Sequence, residues 1–150
     1  METNEGKGQL FNHDGEPVTQ EQFDQEKYED KIYPVIEYLE DLQEADKMGV
    51  DLAMSGDAIN HETKKKYTPE EMRQTASETD QALQELKEGN SEKALGILQR
   101  QLEAREKHAD EPFWNYREDA KPTDEEKIEE EKKRVQGDIE KIKKLIERMQ

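Results

Sequence analysis

"TPEEMRQTASETDQALQELKEGNSEKALGILQRQL", residues 68–102, decides the fold. Thr68 stands three residues ahead of Glu71, with Pro69 between them. In a capping box the Thr oxygen accepts the amide three positions on, and the Glu side chain accepts the Thr amide in return. Pro69 then occupies the first helical position, where its missing donor costs nothing. Met72, Ala76, Thr79, Leu83 and Leu86 follow at helical spacing, which predicts a helix over 69–88. Gly89 suits the residue just past a helix end. Asn90 or Ser91 caps the next helix, over 91–108, whose stripe is Ala94, Leu95, Leu98 and Leu102. So short a link forces the two helices antiparallel.

Within that stretch, "ALQELKEGNSEKALGILQRQL", residues 82–102, resembles the turn and second helix of a tetratricopeptide repeat. Gly89, Ala94 and Leu98 fall at matching places. The resemblance covers about 21 residues, and no second copy follows at the repeat's period of about 34. It implies a helical hairpin and not an array, and no function comes with it.

The same capping grammar recurs on both sides. Thr19 precedes Gln22, and Thr123 precedes Glu126. Val18 with Phe23, and Tyr67 with Met72, have the spacing of hydrophobic staples. A first helix is expected near 20–48, with Tyr28, Ile32, Val35, Ile36, Leu39 and Leu42 on one stripe. Pro34 falls inside it; proline lacks a donor and disfavours helical angles at Tyr33, so a kink or short break is expected there. Gly49 ends this helix, or "VDLAM" carries it on toward Gly56. Residues 56–67 read as a loop. In the last helix Ile128, Val135, Ile142 and Met149 recur every seven residues, with Ile139, Leu145 and Ile146 between them. Glu131 and Asp138 take places where a strict coiled coil wants apolar residues, so only the second half has a clear seam.

These readings make an all-α protein of about four helices. The expected organisation is a flexible segment 1–18, a helical domain 19–108, a linker 109–122 and an amphipathic helix 123–150.

Composition narrows the function. Leu, Ile, Val and Phe together number 25 of 150 residues, a thin apolar supply that must lie in register to form a core. The net charge is −16, and it is uneven. Residues 1–60 carry 16 acids against 4 bases, whereas residues 121–150 carry 9 of each. Phosphates would be repelled by such a surface, so direct nucleic-acid binding is not expected. Steering toward a basic partner is. Cysteine is absent, which removes disulfides and thiolate zinc sites. The first twenty residues lack the apolar run of a signal peptide, and no membrane-length apolar stretch occurs. A cytoplasmic protein is the expectation.

Catalytic motifs are not found, and no enzyme and no cofactor are expected. His61-Glu62 opens a zincin-like pattern, but Lys65 stands where the second His belongs. Asn12, Asp14, Gly15 and Glu21 match offsets of a calcium loop, but Leu10 occupies its first ligand position. His13, His61 and His108 are scattered, each near an acid. A calcium- or zinc-responsive protein is therefore kept only as an alternative.

Two features point to contact with a partner. Phe113, Trp114, Tyr116 and Arg117 cluster in the linker, and such residues dominate binding hot spots. They would equally fold back to fill a gap in a thin core. Glu37, Glu40, Asp41 and Glu44 lie off the apolar stripe of the first helix, where carboxylates could imitate the charge spacing of DNA. The expected function is a non-enzymatic inhibitor or adaptor that binds a basic protein surface. A narrower version is a DNA mimic, of the kind phages make, that blocks a nucleic-acid-processing or defence protein. The alternative is a scaffold that self-associates through its C-terminal helix.

Overall fold

The computed structural model describes residues 8–60 and 62–150. Its helices are α1 (Gln20–Met54), α2 (Pro69–Lys87), α3 (Glu92–Lys107) and α4 (Glu125–Met149). The all-α architecture expected from the sequence is observed: α1 packs on α2, α2 on α3, and α4 closes the bundle over α3 and α1. Among the described residues, no helix is long and apolar enough to cross a membrane.

The sparse apolar residues meet in one core. Ile32, Val35 and Leu39 from α1 join Leu83 and Leu86 from α2, Ile97 and Leu98 from α3, and Ile142, Leu145 and Met149 from α4. Ala82 and Ala94, both fully buried, have side chains small enough to let neighbouring helices close on one another. Tyr28 ties α1 to the end of α2, donating its hydroxyl to the Leu86 carbonyl at 2.7 Å. The second half of α4 is buried at Ile139, Ile142, Leu145 and Met149. The seam that could have paired with another copy is thus occupied within the chain.

Two capping boxes form as read, at Thr19/Gln22 and Thr68/Glu71. The third does not. Asp124 caps α4 instead of Thr123, its carboxylate accepting the Glu126 amide at 3.0 Å. A carboxylate at this position also complements the helix dipole, which a hydroxyl does not. Between α2 and α3, Gly89 adopts φ 103. The Gly89 and Asn90 amides bond back to the Leu86 and Glu85 carbonyls, a Schellman closure.

Of the kink or short break expected at Pro34, the break does not occur: α1 runs unbroken through it. The structure supplies a substitute donor. Proline leaves the carbonyl four residues earlier, on Asp30, without its helical amide. Arg148, in the last turn of α4, donates Nη2 to that carbonyl at 3.1 Å and Nε to the Lys31 carbonyl at 2.7 Å. Gly49 does not stop the helix either. A Cβ there would lie 2.6 Å from Met72 Cε, so the tip of the Met72 side chain fills the space the glycine leaves.

Two small hairpins stand where no strands were expected. In the segment read as flexible, β1 (Leu10–Phe11) pairs with β2 (Pro17–Val18). The turn is closed by Asn12, whose side-chain oxygen accepts the Asp14 and Glu16 amides, both at 2.9 Å. Gly15 supplies the positive φ of 79 that the turn requires. In the segment read as a loop, β3 (Ile59–Asn60) pairs with β4 (Lys65–Lys66). His61 lies outside the described residues, and Lys65, where the zincin-like pattern wants its second His, is in a strand and not on a helix.

Candidate functional site

The longest helix carries the charge. α1 holds eleven acidic side chains against three basic ones. Its buried residues Ile32, Val35 and Leu39 define the inner face. At about 100° per residue, Glu37, Glu40, Asp41 and Glu44 fall on an arc opposite that face, and all four are exposed. Their axial span is about 10 Å, one charge per roughly 3.5 Å, which matches one strand of a duplex and not both. Among the described residues, Lys47 is the one cation paired with any of the four, 3.4 Å from Glu44.

Three large apolar side chains share this outward face. Tyr33 is 60% exposed, Met48 66% and Leu52 49%. None of them was singled out from the sequence, although positions 33, 37, 40, 44, 48 and 52 advance by threes and fours along the same arc.

The aromatic linker sits elsewhere. Trp114 stacks on His108, ring centroids 3.6 Å apart and planes within 8°. Phe113 meets Tyr116 edge-on at 5.0 Å. Phe113 and Trp114 are half-buried, whereas Tyr116 and Arg117 face solvent. The linker thus folds back over the end of α3 and the start of α4. The eight residues singled out from the sequence therefore do not form one patch.

What adjoins both groups is a cleft. A hollow of about 170 Å³, lined by Tyr38, Asp41, Arg105 and Asp138, neighbours one of about 460 Å³ that reaches His108, Trp114 and Tyr116. Arg105 and Asp138 line both. The Tyr38 hydroxyl is buried without a hydrogen-bond partner among the described residues, and burial pushes the phenol above its ordinary pKa. Arg134 bridges Glu131 and Asp138 along one wall. The cleft's charges are thereby largely matched, and Asp41, at the edge of α1's outer arc, shares it with Arg105 and Lys141.

The two described histidines, His13 and His108, do not converge. His13 Nε2 lies 2.8 Å from Asp30 and 3.9 Å from Glu26, clamping the first hairpin to α1. Asp30 first, and Glu26 after it, raise the His13 pKa. His108 instead faces Glu62, whose carboxyl is held below its usual range chiefly by Lys107 at 2.7 Å. No group of three or more His, Cys, Asp or Glu with metal-holding geometry occurs among the described residues. In the calcium-like stretch, the Asn12 oxygen is engaged by the turn amides.

Comparison with known proteins matches this chain to no family model, no curated protein and no solved structure.

Proposed function

We propose that this protein acts by contact, as an acidic helical inhibitor or adaptor that sets the outer face of α1 against a basic surface of a protein partner. The observation that carries this reading is the placement of Glu37, Glu40, Asp41 and Glu44 together on the solvent side of α1, with one paired cation among the described residues. Holding four like charges together costs self-repulsion in the free protein, and an oppositely charged surface relieves it. A narrower form is imitation of nucleic acid, supported by the single-strand charge spacing along the helix.

The test is affinity capture with the intact chain and with the E37Q/E40Q/D41N/E44Q variant side by side. The reading expects a basic protein retained by the first, lost from the second and released by moderate salt. Duplex DNA should displace it if the surface imitates nucleic acid. Equal retention by both proteins, or retention that ignores salt, overturns the reading.

A further inference from the structure

The outer face of α1 is solvent-facing and patterned. Tyr33 stands at one end, Met48 and Leu52 at the other, and the four carboxylates lie between. Met48 and Leu52, one turn apart, are neighbouring exposed apolar side chains of the kind that mark a contact surface, and Tyr33 adds a third at the other end of the same arc. Methionine in particular adapts its shape to an incoming side chain. We infer that this face docks one amphipathic helix of a partner, with basic residues at its centre and apolar residues at both ends. This rests on the contact function proposed above and specifies the partner's chemistry.

Charge selects the occupant. The carboxylates demand Lys or Arg opposite them, and a second copy of a chain with net charge −16 is a poor source of that surface. Geometry selects the helix. Along the outer face α1's backbone groups are engaged in helical bonds, and the Asp30 carbonyl freed by Pro34 is taken by Arg148, so α1 offers no edge for an added strand. By helical rise, Tyr33 and Met48 are about 22 Å apart along the face. A helix lying alongside at the shallow crossing angle of about 20° repeats that rise and meets both apolar ends at once.

The probe is a labelled peptide of about 22 residues, long enough as a helix to cover that span, with leucines toward both ends and lysines and arginines on the same face between them. Its control has the same composition with leucines central and bases terminal. Fluorescence anisotropy with the full chain should show the first peptide binding at least about tenfold more tightly. M48Q/L52Q, at exposed positions and with a good helix former, should weaken it about tenfold while leaving the circular dichroism melt unchanged. E37Q/E40Q/D41N/E44Q should abolish it. Equal, salt-sensitive binding of both peptides, indifferent to M48Q/L52Q, overturns the patterned helix and leaves the basic-surface reading standing. Binding of neither overturns both. Self-association of the chain that M48Q/L52Q removes assigns the face to a second copy, which also overturns the inference.

Discussion

Removing Arg148 should cost more stability because Pro34 is there. In the native chain the Arg148 guanidinium donates to the Asp30 and Lys31 carbonyls. A hydrogen bond from a charged donor contributes about 1.5–3 kcal/mol when buried, and toward 1 kcal/mol where water can replace it. Arg148 is exposed, so Arg148→Ala should destabilise by about 1.5 kcal/mol for both bonds, plus about 0.3 kcal/mol for a lost cation at the end of α4. Pro34→Ala returns an amide to position 34 and gives Asp30 its own helical donor. In that background Arg148→Ala should cost about 1 kcal/mol, because the Lys31 bond and the dipole contribution remain while the rescue of the orphaned Asp30 carbonyl does not. The coupling is therefore about 0.8 kcal/mol, above the additivity error of about 0.3–0.5 kcal/mol. Urea unfolding of the four proteins, followed by circular dichroism at the helical band, measures it. Equal costs of Arg148→Ala in the two backgrounds would refute the assignment of Arg148 as the substitute donor.

Leu86→Ala, at a fully buried position in the shared core, should destabilise by about 2–5 kcal/mol in the same assay; a loss below about 1 kcal/mol would mean the core is not shared as described. Gly137 lies inside α4, and a methyl group added there would meet nothing within 4 Å, so Gly137→Ala should stabilise by about 0.8–1 kcal/mol and raise Tm by about 2–4 °C. An unchanged or lowered Tm contradicts a continuous α4. The first hairpin should loosen with rising pH. His13's pKa is raised in the folded state, chiefly by Asp30, so its contribution is complete below the unfolded value of about 6.5 and disappears as pH climbs through the raised one. Amide exchange across Asn12–Glu16, corrected for intrinsic rates, should lose protection over that window in the native chain and not in His13→Gln. Identical profiles would remove His13 from the clamp.

Much of the fold was legible because its signals are local. Thr19, Thr68, Gly89 and the heptad of α4 each report on neighbours within a turn or two. The failures came where a distant residue changed the outcome. Pro34 reads as a breaker until Arg148, at the far end of the chain, supplies the donor it lacks. Gly49 left two readings open, a stop or a passage through "VDLAM", and the helix that continues to Met54 is the second of them. Thr123 lost the cap to Asp124 by one residue, the usual margin when two good acceptors are adjacent. The candidate surface divided the same way. The acidic arc of α1 follows from spacing, and Tyr33, Met48 and Leu52 were equally readable from it once the inner stripe was set. The cleft was not, because Tyr38, Arg105 and Asp138 come from three helices and meet only through packing.

The most direct test of the contact function is the association rate of the captured partner, followed by stopped flow from low to high salt. With the native chain the rate should fall steeply as salt screens α1's outer face, and with E37Q/E40Q/D41N/E44Q it should start lower, stay nearly flat and meet the native curve at high salt. Two superimposable curves would contradict the claim that this face does the steering.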